Sequence, residues 1–413
     1  MRGHRSGPFQ MEAVVKVPLR AICICLALIW LLGGAAVGQP LTPVEQLGKS
    51  LLFDQNLSTP RGQPCVTCHG AAVGFTGPIS EVNAHGSVYP GAIARRFGNR
   101  KPPSAAYAGA SPVLRFDPVA GVWIGGVFWD GHATGWTLGD PLAEQALRPF
   151  LNPLEQNNPD RKIVVQGVAR SQYATLFRQV WGSESLPRTG EKPSLQVPFN
   201  YDVAFERIGR SIAAYERSNE VNPFTSKYDF YLAGQVILTP QEALGLQLFN
   251  SRAKCVICHP SAPGPGGQPP TFTDFKYHNL GVPKNSENPF YKMPPLFNPD
   301  GENFVDTGLG GFLKRAGFPP EVYEREMGKQ KVPTLRNVDL RPSEAFAKAY
   351  THNGFFKSLE DIVHFYNTRD VFFWPPPEVT DNLSATIGNL GLAPDEEEAL
   401  VAFLKTLSDG FVP

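Results

Sequence analysis

The stretch Cys65-Val66-Thr67-Cys68-His69 decides how the rest of the chain is read, and it has an echo at Cys255-Val256-Ile257-Cys258-His259. Two cysteines flanking two residues, with histidine next, is the attachment pattern of c-type haem. Each thiol forms a thioether to one edge of the porphyrin, and the adjacent imidazole then lies under the iron as its proximal ligand. A zinc knuckle needs two close Cys/His pairs on one short module, and here the two motifs lie far apart in the chain. A thioredoxin-like redox pair needs no following histidine, still less twice. The sequence therefore predicts two covalently bound haem c groups.

The residues leading into the two motifs repeat. Thr42-Pro43-Val44-Glu45, Gly48 and Leu52-Phe53 precede the first; Thr239-Pro240-Gln241-Glu242, Gly245 and Leu248-Phe249 precede the second. In each, threonine caps a helix, proline takes its first turn, and a glutamate three residues after the threonine closes a capping box. Phe75-Thr76 and Phe272-Thr273 then follow the motifs. Agreement at several points in the same order predicts an internal duplication. The expected organisation is two haem domains, an N-terminal one over 39–222 and a C-terminal one over 223–413. Hydrophobic periodicity predicts helices at Asp202–Arg217, Ser358–Asn367 and Asp395–Leu407. The first of these has Val203, Ile208, Ile212 and Tyr215 near one face. Few segments alternate as strands, and 40 glycines with 40 prolines in 413 residues imply long ordered loops. The fold class is mainly α: two cytochrome c-like domains, loop-rich, with little β.

Lys+Arg and Asp+Glu balance at 38 each, so there is no basic field for nucleic acid. Arg2, Arg5, Lys16 and Arg20 precede the apolar run Ala21–Leu32, and Ala36-Val37-Gly38 offers small residues for cleavage. Residues 1–38 read as a secretory signal peptide cut before Gln39. The apolar run is short of the roughly 20 residues that a membrane span needs, so no stable anchor is expected after cleavage. Cys23 and Cys25 lie within that run and the other four cysteines lie in the haem motifs, which leaves none for a structural disulfide. An exported, haem-bearing chain without disulfides points to the bacterial periplasm.

The two motifs, Phe128-Trp129-Asp130-Gly131, Asn152-Pro153-Leu154-Glu155, Val332-Pro333-Thr334-Leu335-Arg336-Asn337 and His352-Asn353-Gly354 together resemble the bacterial di-haem cytochrome c peroxidase/MauG family over essentially the whole mature chain. The resemblance implies that Trp129 lies between the haems and assists electron passage. It implies that Gln145, Pro149 and Glu155 line the open face of the first haem. A carboxylate there has a physical task, because splitting peroxide heterolytically requires a proton to move from the near oxygen to the leaving one. The distal ligand of the second haem, methionine in peroxidases and tyrosine in MauG, corresponds to Tyr366. A phenolate favours ferric iron and lowers the potential, whereas a thioether does the reverse. His85 corresponds to the histidine that closes the first haem in oxidised peroxidases. Asn99, with the carbonyls of Ala347 and Ala349, corresponds to a calcium site between the domains. Carbonyl ligation is indifferent to the side chain.

Three departures qualify the resemblance. Six extra residues separate Trp129 from Gln145, His132 stands where arginine is usual, and Ala253 stands where MauG carries the tryptophan that relays electrons from its protein substrate. The expected activity is reduction of hydrogen peroxide at the His69 haem, with electrons from a small periplasmic donor arriving through the His259 haem. The rival enzyme reading is a MauG-like oxidase acting on a partner protein. A plain electron carrier is the rival of another class, and Gln145, Pro149 and Glu155 speak against it.

Overall fold

The computed structural model describes residues 39–188, 198–264 and 266–413; the predicted signal peptide lies outside them. Among the described residues twelve α-helices are joined by long loops. In the first half they are α1 (Pro43–Leu52), α2 (Ser80–Ala84), α3 (Pro141–Leu151), α4 (Arg161–Ala169), α5 (Ala174–Trp181) and α6 (Tyr201–Glu216). Then come α7 (Lys227–Leu232), α8 (Pro240–Phe249), α9 (Gly308–Arg315), α10 (Pro320–Tyr323), α11 (Leu359–Thr368) and α12 (Pro394–Lys405). Sheet among the described residues forms two antiparallel pairs, β1 (Arg115–Asp117) with β2 (Val122–Ile124) and β3 (Tyr277–His278) with β4 (Gln330–Lys331). The protein is mainly helical with little sheet, as its Gly/Pro content and helix-period patterning predict.

The two capping sequences start helices as expected. The Glu45 carboxylate accepts from the Thr42 amide at 2.7 Å, and Glu242 accepts from the Thr239 amide at 2.7 Å while the Thr239 hydroxyl accepts from the Glu242 amide. Each helix then packs against a partner through its glycine. A Cβ on Gly48 would sit 1.9 Å from the Ser211 carbonyl oxygen of α6, and one on Gly245 would sit 1.9 Å from the Ala399 carbonyl oxygen of α12. Such backbone-to-backbone approach leaves no room for a methyl group, which is why glycine recurs at that offset.

Two hydrophobic clusters form around these helix pairs. One includes Leu47, Leu51, Phe150, Phe177, Ile208 and Tyr215. The other includes Phe249, Phe272, Phe365, Leu400, Phe403 and Leu404. The predicted helix 202–217 begins one residue earlier, because the Asn200 side chain accepts from the Asp202 and Val203 amides. Val203 points outward; Ala204 and Phe205 take its place on the core face. Ser358 caps α11 by accepting from the Asp361 amide at 3.0 Å.

Candidate haem sites

Both CXXCH histidines are held alike. The Nδ1 of His69 is 3.0 Å from the Phe75 carbonyl oxygen, and that of His259 is 2.7 Å from the Phe272 carbonyl oxygen. Each ring therefore donates from Nδ1 and leaves Nε2 as its free, basic atom, the state a metal-ligating imidazole requires. The geometry depends on Phe75 and Phe272 having φ of 54° and 52°, a left-handed backbone that turns each carbonyl back toward its histidine. The next residue locks the turn: the Thr76 hydroxyl donates to Pro102 O and that of Thr273 to Val332 O, both at 2.7 Å. Ser104 and Thr334 repeat the pattern, donating to Gly74 O and Thr271 O.

Burial drives both imidazoles below their ordinary pKa, which keeps them neutral and ready to ligate. It also pushes the Cys65 and Cys255 thiols up to about 12. None of the four motif cysteines is engaged in a disulfide, as thioether formation needs. With Nδ1 committed on both histidines, the cysteines outside any disulfide and an apolar cavity beside the second motif, the donor set fits haem.

Glu155 belongs to the first motif's surroundings: after burial, its charge raises the Cys68 thiol, and it raises the Cys65 thiol behind the larger contribution of Glu216, a second buried carboxyl pushed up to about 8. Crowded by protein, with Asn152 its one stabilising partner, the Glu155 carboxyl is pushed up to about 7. Its backbone is clamped: the Ala92 amide donates to Glu155 O at 2.6 Å, and Gly91 approaches so closely that a Cβ would lie 2.2 Å from Leu154 O. Gln145 and Pro149 are half-buried on α3. That helix went unpredicted, although Asp140-Pro141 announces it: Asp140 caps by accepting from the Leu142 and Ala143 amides.

Around the second motif, a cavity lined by Cys255, Cys258, His259 and Tyr366 extends to Trp129 and Lys101. Tyr366 faces the motif directly: burial pushes its phenol well above the ordinary value, and the Cys258 and Cys255 sulfurs add to that push. Trp129 is buried, donates from its indole nitrogen to Lys101 O at 2.9 Å, and accepts at its carbonyl from the Lys331 amide at 2.7 Å. Lys101 and Lys331 each stand one residue before Pro102 and Val332, so the indole is tied to one of these segments and the Trp129 backbone to the other. Sequence reasoning passed over this pair, although Lys101-Pro-Pro-Ser104 and Lys331-Val-Pro-Thr334 carry the signal.

His132 pairs with the buried Asp130. Its Nδ1 lies 2.6 Å from Asp130, which Arg100 also contacts at 2.9 Å. Burial alone would raise the Asp130 carboxyl, but these two partners outweigh it and hold it far below the usual carboxylate range. His85 stands apart at the surface, with ring nitrogens 3.2 Å from Glu81 and 3.5 Å from Glu287. Of the calcium candidates, the Asn99 carbonyl accepts from Asn288 and the Ala347 carbonyl from Asn83. Ala349 is buried. Among the described contacts no shared partner links Asn99 to the two alanines.

Two equivalently built histidine sites, joined through one tryptophan, define a di-haem protein. Residues 43–236 match the family described as di-haem cytochrome c peroxidase. The methylamine utilization protein MauG of Paracoccus denitrificans (strain Pd 1222) is 33% identical over 410 residues, covering 95% of this chain and 96% of that one. The cytochrome-c peroxidase IdrP2 of Pseudomonas sp. (strain SCT) is 26% identical over 91% of this chain and 83% of its own length. The crystal structure of the diheme peroxidase BthA from Burkholderia thailandensis E264 matches with a TM-score of 0.71 and 29% identity, covering 91% of this chain and 88% of that one. The chain belongs to the di-haem cytochrome c peroxidase family. It is a haem oxidoreductase.

Proposed function

We propose that the protein reduces hydrogen peroxide at a haem held by Cys65, Cys68 and His69, with electrons delivered through a second haem held by Cys255, Cys258 and His259. The observation that carries this reading is Glu155, a carboxyl with its pKa raised to about 7 beside the first motif. A carrier of electrons alone has no use for such a group. Bound haem supplies the iron at which peroxide is reduced; the protein supplies the rest. His69 and His259 offer Nε2 because their Nδ1 atoms are committed to Phe75 O and Phe272 O. Glu155 accepts the proton from the nearer peroxide oxygen and returns it to the leaving one, a task suited to a group half-ionised near neutral pH. Gln145 and Pro149 restrict the space around it. Trp129, hydrogen-bonded through Lys101 and Lys331 to both halves, carries electrons between the two centres.

The repeated caps, glycine contacts and histidine turns support a duplicated architecture, with domains over 39–222 and 223–413. Tyr366 facing Cys255 and Cys258 favours a tyrosine-ligated second iron and, with it, the MauG-like reading, in which a partner protein is the electron source. Ala253 in place of the relay tryptophan argues that any such partner delivers electrons by another route. Export through residues 1–38 would bring the protein to the periplasm. No helix among the described residues is long and apolar enough to cross a membrane. A calcium ion would be held at Asn99 and the carbonyls of Ala347 and Ala349, and His85 would close the first site. His85 would have to leave Glu81 and Glu287 to ligate. Steady-state peroxide consumption by the holoprotein with a panel of one-electron donors tests the proposal; absence of donor-dependent turnover would overturn it.

A further inference from the structure

At the second haem site His259 and Ala253 are buried, and Tyr366, a residue of α11, is half-buried. Electrons must nevertheless reach this site from outside. Immediately after α11 runs Val371-Phe372-Phe373-Trp374-Pro375-Pro376-Pro377, in which Val371, Phe372 and Phe373 are 61%, 59% and 90% exposed. Three consecutive apolar side chains left in water, followed by prolines that stiffen the backbone, are not explained by packing.

Trp374 connects this surface to the interior. Its ring lies 5.9 Å from Phe372 on the outside and 5.3 Å from the buried Phe365 on the inside, and Phe365 is 6.5 Å from Tyr366. His364 and Phe356 flank the indole at 5.9 and 6.0 Å. Its N–H donates to the Thr368 hydroxyl at 3.1 Å, which fixes the ring against α11. Phenylalanines fill the space between, but only the indole and the phenol are readily oxidised by one electron. The contact series therefore has one oxidisable group near solvent, Trp374, and one at the second motif, Tyr366.

We propose that Trp374 is the relay residue through which external electrons enter the second haem site, serving the role left open by Ala253. This rests on the peroxidase reading above. In each turnover hydrogen peroxide takes up two electrons and two protons and leaves as two waters. Two one-electron donors supply the electrons in succession, each refilling the indole after it has passed an electron inward. Without a donor, the indole itself is consumed: peroxide and one ring C–H become hydroxyindole and water, two electrons leaving the ring.

The test treats the holoprotein with hydrogen peroxide, with and without ferrocyanide, and maps the oxidised tryptophans by peptide mass spectrometry. Trp136, 49% exposed and in contact with Phe312 and Phe318 rather than α11, is the internal control. Relayed oxidation marks Trp374 several-fold more than Trp136, and ferrocyanide suppresses the mark. Trp374→Phe should slow re-reduction of the peroxide-treated protein by ferrocyanide at least several-fold, and Trp374→Tyr should restore it, since tyrosine is oxidisable and phenylalanine is not. A packing role predicts no advantage of tyrosine over phenylalanine. Oxidation that follows exposure, with Trp136 marked first, overturns the relay. So does wild-type re-reduction of Trp374→Phe. Normal peroxide consumption with Trp374 unmarked removes the relay alone, whereas failure to consume peroxide removes the underlying reading as well.

Discussion

Replacing Glu155 by glutamine should separate the chemistry of the carboxyl from its cost to the fold. The side chain keeps its size and its contact with Asn152 but can no longer take up and return a proton. General acid–base catalysis of this kind contributes about 10²–10⁴-fold, so peroxide-dependent turnover should fall by that factor with both haems still attached. The pH profile sharpens the test. With the carboxyl at about 7, the proton-accepting form declines about tenfold per pH unit below that point. Wild-type kcat/KM for peroxide should follow it, and the Glu155→Gln profile should be flat there. Stability moves the other way. The folded-state pKa lies above the ordinary 4.5, so the folded protein binds more protons than the unfolded chain between these values and loses stability as pH rises through that window. The ionised group costs at most about 3 kcal/mol above pH 7, a cost that glutamine does not carry. Glu155→Gln should therefore melt higher than wild type at pH 8 and show little difference at pH 4. Unchanged turnover, or a break near pH 7 that survives in the variant, would refute the assignment of Glu155 as the proton carrier.

Trp129→Phe keeps an aromatic ring but removes the indole N–H to Lys101 O; rapid mixing should show normal peroxide binding with slower electron transfer between the haems, and about 1 kcal/mol lower stability. Tyr366→His should convert one low-spin ferric signal to a bis-histidine spectrum with a shifted potential, and wild type should react with peroxide without prior reduction; an oxidised protein that is inert until half-reduced would exclude the tyrosine-ligated reading. Gly245→Ala places a methyl group 1.9 Å from Ala399 O and should cost about 1–3 kcal/mol, read as a lower melting temperature, with Gly48→Ala costing a similar amount on the other helix pair. Arg336→Met should cost about 3–5 kcal/mol by chemical denaturation, because the buried guanidinium holds Asp229 through two bonds of 2.7 and 2.8 Å.

Local covalent patterns were enough to read the two CXXCH histidines, the capping boxes at Thr42 and Thr239, the glycines at 48 and 245, and the helix carrying Tyr366. Each of these depends on neighbours within one or two helical turns, where spacing alone fixes geometry. The α3 helix was missed because Pro149 and the surrounding loops interrupt its period, so its Asp140 cap was the only strong mark. His85 shows the limit of spacing: an offset from His69 suggested ligation, yet Glu81 and Glu287 hold the ring at the surface. The clamp of Gly91 on the Glu155 backbone, the bonds of Trp129 to Lys101 and Lys331, and the approach of Trp374 to Phe365 all join residues from separate segments. Those contacts, and the desolvation that raises Glu155 to about 7, arise only when distant parts of the chain exclude water from the same volume. The sequence by itself determined which residues could bind haem and where the helices capped by Thr42, Thr239 and Ser358 begin; tertiary packing decided which of the remaining side chains face those sites, because burial and charge proximity are properties of the enclosed space and not of the chain order.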